Sequence, residues 1–303
     1  MQISNSSSPY ILTADVGGSH ITAAVFDAET NTILQQSISR VDLLSNGSAS
    51  DILSAWGLAL KTVLNNTGLQ ISGLSVAMPG PFDYKHGICY IKGLGKYEAL
   101  YGMNIKQHLA DLLVFTPQQV FFRNDAESTV AGEVLAGAGK EFKKVIGVTL
   151  GTGFGSAFSE NKVTSDINLG SHPYRETIAD DYFSTRWLLK RYHELTGLTL
   201  AGGVKELAAM ATGNAVAQGI FNEFGSNMSE FLSGPVKQLG PEGLILCGNI
   251  AKASGLFIQG LTTGLNSLPI KLAQLGENAP LIGAATMFDN LNGAKHHKSA
   301  TKL

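Results

Sequence analysis

Cysteine is nearly missing. Of 303 residues only Cys89 and Cys247 carry a thiol, far apart and in unlike surroundings, so neither a disulfide framework nor a C-x-x-C zinc site can be assembled from them. Both read as small core residues in a reducing, cytoplasmic setting. Long apolar runs are missing as well: no stretch approaches the ~20 residues needed to span a bilayer, and the opening "MQISNSSSPY" has neither the charged nor the apolar region of a signal peptide. Nor does one sign of charge dominate. The 22 Lys and Arg against 24 Asp and Glu leave a formal −2, which gives no electrostatic reason for a nucleic acid or an anionic membrane as partner. Any phosphate site must then be built locally. A Walker A loop, which needs Gly-Lys-Ser/Thr opening a helix, is also lacking, and "GTGFGS" is a weak dinucleotide-fold match because a strand follows it.

What is present is a large core. Hydrophobic residues make up 44% and charged residues 15% of the chain, and at about 150 residues per domain the length predicts two domains with a cleft. "MQISNSSS" reads as a polar leader and "GAKHHKSATKL" from Gly293 as a basic tail, where the adjacent His296 and His297 make a poor metal site. Between them, helical spacing of Ile52, Trp56, Ala59, Leu60 and Val63 predicts a helix over 51–64, and "GLSVAMPGPF" a buried strand running into a proline turn. A strand through Phe122, a polar junction at Asn124 and Asp125, and a helix follow. "KKVIGVTLGTGFGSAF" reads as two strands joined by glycines, residues 178–195 and 204–239 as helical, and "EGLILCGNIAKA" as a strand, a glycine turn and a helix. Such alternation predicts α/β layers.

"ILTADVGGSHITAAVF" and "VIGVTLGTGFGSAF" share one plan: apolar strand, Gly-rich turn, apolar strand. Alone, each is a β-hairpin turn, for which paired glycines suffice. The second reading is that small turns let backbone N–H groups approach phosphate oxygens, with Asp15 beside the first to hold a cation. Asn124 and Asp125 also have two readings. Either residue can cap a helix, and a carboxylate where a strand hands over to a helix can accept a proton from a substrate hydroxyl. A phosphoryl acceptor that is an alcohol needs such a base.

"DVGGSHITAAVFD", "MPGPFD", "NDAESTVAGE", "VTLGTGFGSAF", "SHPYRETIADDYFS" and "LILCGNIAKA" occur in the order and near the spacing found in the ROK family of sugar kinases and sugar-responsive repressors, which the chain resembles over nearly its whole length. The resemblance implies an α/β, actin-like ATPase (ribonuclease H-like) fold with two lobes around a central cleft. It places a small lobe at 1–123, completed by a C-terminal helix near 290–303, and a large lobe at 124–289. It implies ATP and Mg²⁺ as cofactors and a hexose or amino sugar as acceptor. Residue by residue, Asp15 stands near Mg²⁺ and the γ-phosphate, directly or through water. Gly17, Gly18 and Ser19 form the first phosphate turn, Gly151, Thr152 and Gly153 the second, and Gly248 and Asn249 lie by the adenosine. Gly80 belongs to the sugar-side loop, Asn124 bonds a sugar hydroxyl, and Asp125 is the general base.

The chain also departs from the family pattern. His172 matches the family's Glu-x-Gly-His histidine, but the glutamate before it is absent and the Gly-to-His step is one residue longer. Asp180 stands where a sugar-binding glutamate is usual, so sugar contacts from His172 and from a shorter carboxylate are expected. The zinc-loop cysteines are gone, so no structural zinc is expected. His20 replaces a common lysine, with no role legible. The alternatives to a glucokinase-like enzyme are a catalytically weak sugar-binding or sugar-sensing ROK protein, or a ROK-type regulator lacking its DNA-binding domain, for which only about ten residues precede the first hairpin. A homodimer is left open, because relatives are often dimers and no interface is legible.

Overall fold

The structure is a computed structural model that describes residues 8–265 and 268–288. The polar leader, the basic tail with His296 and His297, and the helix expected near 290–303 therefore lie outside the described residues, apart from the leader's last residue, Ser8. The chain begins with β1 (Tyr10–Val16), β2 (His20–Asp27), β3 (Thr32–Ile33), β4 (Ser39–Asp42), α1 (Ala49–Thr67), β5 (Leu74–Met78), β6 (Phe82–Asp83), β7 (Ile88–Cys89), α2 (Ile105–Leu113), β8 (Val120–Asn124) and α3 (Asp125–Ala136). It continues with β9 (Lys144–Leu150), β10 (Phe154–Glu160), β11 (Val163–Asp166), β12 (Pro173–Tyr174), β13 (Thr177–Ile178), α4 (Ala179–Tyr182), α5 (Thr185–Thr196), α6 (Gly203–Met210), α7 (Ala215–Leu239), β14 (Gly243–Cys247), α8 (Ile258–Thr263), β15 (Ile270–Leu272) and α9 (Asn278–Ala285).

Two compact units result. One takes in the described residues of Met1–Ala136 and Glu277–Leu303, the other Gly137–Gly276. The boundary expected at 123/124 thus moves past α3, and the chain returns to the first unit at 277. The physical reason is a backbone-close crossing of α3 and α9. A Cβ on Gly132 would lie 2.1 Å from the Ala279 carbonyl oxygen, and one on Gly283 would lie 1.7 Å from that of Ser128. Only glycine allows the two helices to come so near. Ser75 Oγ, from β5, donates to the Ala284 carbonyl at 2.6 Å and ties α9 to the sheet as well.

In the first unit the sheet order is β3-β2-β1-β5-β8, with β4 also on β2. β1 and β2 are antiparallel, while β1, β5 and β8 run parallel. Leu12, Val25, Trp56, Leu60, Val76 and Phe122 fill its core. The second unit repeats the plan with β11-β10-β9-β14-β15, in which β9 and β10 form an antiparallel hairpin and β14 runs parallel to β9. Its core joins Ile146, Val148 and Leu246 to an aromatic group of Phe154, Tyr174, Phe183, Phe221 and Phe224. The helical run expected over 204–239 is broken where Asn214 caps α7, its side chain accepting from Val216 and Ala217 N–H at 3.0 Å. Among the described residues no helix is long and apolar enough to cross a membrane.

Candidate active site

In the first unit the parallel register sets Asp15 opposite Ala77 and Met78 opposite Asn124. Asp15, the loop at Gly80, Asn124 and Asp125 therefore gather beyond the carboxyl ends of β1, β5 and β8. That edge is where open α/β sheets bind ligands. Gly17 N–H closes the first turn on the His20 carbonyl at 3.0 Å. Gly18 and Ser19 are exposed, and their N–H groups have no acceptor among the described residues. Such a turn can receive an anion.

Two side chains brace this turn that the sequence did not single out. Tyr97, fully buried with its ring 5.6 Å from Trp56, donates its hydroxyl to the Gly17 carbonyl. Arg40 Nη2 donates to His20 Nδ1 at 3.3 Å, and Ser19 Oγ lies 3.1 Å from the same nitrogen. Because a guanidinium only donates, His20 Nδ1 is an acceptor and the ring proton sits on Nε2. His20 thus joins the turn to Arg40, which also meets Glu277 at 3.5 Å.

Asp15 is partly buried at the end of β1. Desolvation, then the like charges of Asp125 and Glu277, push its carboxyl up to about 7. A divalent cation beside it would relieve that cost. Among the described residues no group of three or more His, Cys, Asp or Glu side chains could hold a metal. Mg²⁺ fits such a place, since it keeps its waters and is commonly held by one or two carboxylates plus substrate phosphates.

At the β8–α3 junction the two readings separate by residue. Asn124 Oδ1 accepts from Ala126 N at 2.9 Å and from Glu127 N at 3.1 Å, so Asn124 caps α3. Its Nδ2 donates to Tyr84 Oη at 3.2 Å, and that hydroxyl donates to the Met78 carbonyl, also at 3.2 Å. A Cβ on Gly80 would lie 3.1 Å from the same hydroxyl. Tyr84, which the sequence reading missed, therefore ties the Gly80 loop to Asn124. Asp125 Oδ1 accepts from the Ala126 N–H at 2.8 Å, and Oδ2 has no partner among the described residues. Arg123, nearly buried, holds the junction from behind through Glu127 at 2.8 Å, the Gly283 carbonyl at 3.0 Å and Thr286 Oγ1 at 2.7 Å.

In the second unit Gly151 N–H donates to the Gly153 carbonyl at 3.1 Å, while the N–H groups of Thr152 and Gly153 have no acceptor among the described residues. Gly248, at φ +89°, follows β14, and a Cβ there would lie 2.4 Å from the Leu150 carbonyl oxygen. Glycine is required on both counts, and it brings Asn249 near this turn. Asn249 Oδ1 accepts from Lys252 at 2.9 Å. His172 is partly buried, and its backbone accepts from Ala179 N–H at 3.0 Å.

Asp180, expected to contact the sugar, has close partners within its own unit. Its Oδ1 accepts from Phe154 N–H at 2.5 Å, and its Oδ2 pairs with Arg186 at 2.5 Å. Both oxygens are engaged inside the second unit. Beside it, in the segment where the sequence lacks the zinc-loop cysteines, Arg175 donates to Asn227 at 2.8 Å and Glu230 at 3.0 Å and stacks on Tyr174 at 5.1 Å. A solvent-open groove of about 660 Å³ lies alongside, lined by residues such as Arg175, Tyr182, Arg186 and Trp187, and contains none of the residues the sequence singled out.

A glycine hairpin with free N–H groups in each unit and an Asp at a strand end describe a mixed α/β protein of the actin-like ATPase fold. The ROK family pattern matches residues 11–171, more than half of the sequence, and the chain belongs to the ROK family. It is 22% identical over 317 residues to the glucokinase of Thermotoga maritima, covering 92% of this chain and 96% of that one. The ROK hexokinase of Thermus thermophilus superposes with a TM-score of 0.78 at 19% identity, covering 94% and 100%. A ROK family glucokinase from Streptomyces griseus, in complex with glucose and AMPPNP, gives 0.73 at 21% identity, covering 92% and 98%. A ROK family transcriptional regulator, a homologue of the Escherichia coli MLC protein, gives 0.78 at 12% identity, covering 93% of this chain and 78% of that one. Fold likeness alone therefore does not separate enzyme from regulator.

Proposed function

We propose that the protein is an ATP-dependent sugar kinase, glucokinase-like, which transfers the γ-phosphoryl group to a hydroxyl of a hexose or amino sugar. The observation that carries this reading is the shared sheet edge of Asp15, Gly80, Asn124 and Asp125, with the free Oδ2 of Asp125 on it. Asp125 takes the proton of the attacking hydroxyl as its oxygen bonds to phosphorus and the bond to the ADP oxygen breaks. The amide of Asn124, held by its cap, and the Gly80 loop orient the sugar, and His172 adds a contact. Gly18, Ser19, Thr152 and Gly153 offer backbone N–H groups to phosphates, with Gly17 and Gly151 shaping the turns and Gly248 and Asn249 beside the adenosine. Mg²⁺, held through Asp15, would neutralise charge on the β- and γ-phosphates. The glucokinase names of two relatives, and the glucose and AMPPNP bound by one of them, support the substrate classes.

A sugar-sensing role is the second reading, because the regulator matches this fold with the same TM-score as the hexokinase. ATP turnover with a panel of hexoses and N-acetylhexosamines separates the two. A kinase releases ADP in response to at least one sugar, and Asp125→Asn lowers its kcat by about 10²-fold or more, the usual share of a general base. ADP release that no sugar stimulates sinks the kinase reading, and near-parent kcat in Asp125→Asn sinks the base assignment alone.

A further inference from the structure

The carbonyls of Gly151 and Thr152 and the N–H of Phe154, at the second glycine turn, are all held by one short segment, 180–186. Thr185 donates both its N–H, at 2.8 Å, and its Oγ1, at 2.9 Å, to the Gly151 carbonyl. Arg186 Nη1 donates to the Thr152 carbonyl at 2.7 Å, and its Nη2 pairs with Asp180. Asp180 in turn accepts from Phe154 N–H. In a planar trans peptide the C=O and the N–H point in opposite directions. The Gly151 carbonyl shares its peptide plane with the Thr152 N–H, and the Thr152 carbonyl with the Gly153 N–H. Thr185 and Arg186 thus fix the two planes whose N–H groups have no acceptor among the described residues. Gly153 completes the fit, because a Cβ there would lie 2.8 Å from Asp180 Oδ1.

We propose that Asp180 and Arg186 are positioning residues for the nucleotide: they hold the Gly151–Phe154 turn so that the N–H groups of Thr152 and Gly153 face its phosphates. This assignment rests on the kinase reading and sets Asp180 on the phosphate side of the chemistry rather than the sugar side. Arg186 suits the task because a planar guanidinium can bond a carbonyl and a carboxylate at once, whereas a lysine ammonium is a point charge on a flexible stem. Its side chain is 60% exposed, so its removal leaves the core intact.

The test is calorimetric binding of AMPPNP with Mg²⁺, and separately of glucose, to the full chain. Arg186→Met and Asp180→Asn are each expected to weaken AMPPNP about tenfold and to leave glucose within twofold. The double variant is expected to be no worse than the weaker single, because both act on one turn. Arg186→Lys recovers less than half of the loss. Unchanged near-UV circular dichroism confirms that the variants are folded. AMPPNP affinity within twofold of the parent in both single variants overturns the assignment while the kinase reading stands. So does weakened glucose binding by Asp180→Asn with AMPPNP unaffected. A parent chain that binds no AMPPNP overturns both.

Discussion

Asn124 has two jobs that a single substitution can separate. Asp caps helices about as well as Asn, so Asn124→Asp keeps the bonds from Ala126 and Glu127 but removes the amide that donates to Tyr84. Unfolding free energy is expected to stay within about 0.5 kcal/mol of the parent, while KM for the sugar rises about tenfold. Asn124→Ala is expected to cost about 1 kcal/mol of stability in addition. Urea unfolding and steady-state kinetics read the two effects separately, and an unchanged sugar KM in Asn124→Asp removes Asn124 from the sugar site. At this scale the sequence made Asn124, Asp125, Asp15 and both glycine turns legible, because each lies at the end of an apolar strand or just after it. It did not show Tyr97, Tyr84 or Arg186, whose partners Gly17, Asn124 and Thr152 stand 80, 40 and 34 residues away. No local spacing encodes such pairs. Asp180 was visible as a carboxylate, but its partner Phe154 lies 26 residues before it, so its direction was not.

The α3–α9 crossing positions Asp125, which opens the helix that Gly132 and Gly283 press against α9. Gly283→Ala sets a methyl 1.7 Å from a backbone oxygen and forces the helices apart. Overpacking of this kind costs about 1–3 kcal/mol, so the thermal midpoint is expected to fall by several degrees, and kcat should fall with it as Asp125 shifts. Gly219→Ala is the opposite case: this exposed position in α7 has no atom within 4 Å of the added Cβ. Relief of chain entropy there is expected to stabilise by roughly 0.5–1 kcal/mol. Differential scanning calorimetry checks both, and a Gly283→Ala midpoint equal to the parent's would show that the crossing is not rigid. The same crossing explains why α3 groups with the first compact unit rather than the second. Periodicity revealed α1, β5, β8 and the two hairpins, since each has one wet face or a strand-length apolar run. In α9 every residue from Ala279 to Ala285 is buried, leaving no polar face to say which unit it joins. A small-residue helix tells its partner by shape alone, and shape is not written in hydropathy.

For the molecule as a whole, the carboxylates at the β1 and β8 ends couple stability to pH and to ligand. Asp15 carries a pKa raised from 3.8 to about 7 by desolvation and by Asp125 and Glu277. Between pH 4 and 7 the folded chain therefore holds a proton that the unfolded chain has released. Linkage then makes unfolding free energy fall as pH rises through that window, and this contribution is flat above it. After solvent screening the effect is expected to be on the order of 2 kcal/mol. Other carboxylates titrate near pH 4, so the informative quantity is the difference between parent and Asp15→Asn from pH 5 to 8, measured by urea unfolding with chelator present. The parent is expected to lose stability relative to Asp15→Asn across this range, most steeply between pH 5 and 7. Mg²⁺ with AMPPNP favours the ionised carboxylate, so the rise in thermal midpoint that it produces should grow from pH 5.5 to 8 in the parent and be nearly constant in Asp15→Asn. Parallel pH profiles for the two proteins, with and without nucleotide, would remove Asp15 from the metal–phosphate site and leave its buried charge as a structural burden only.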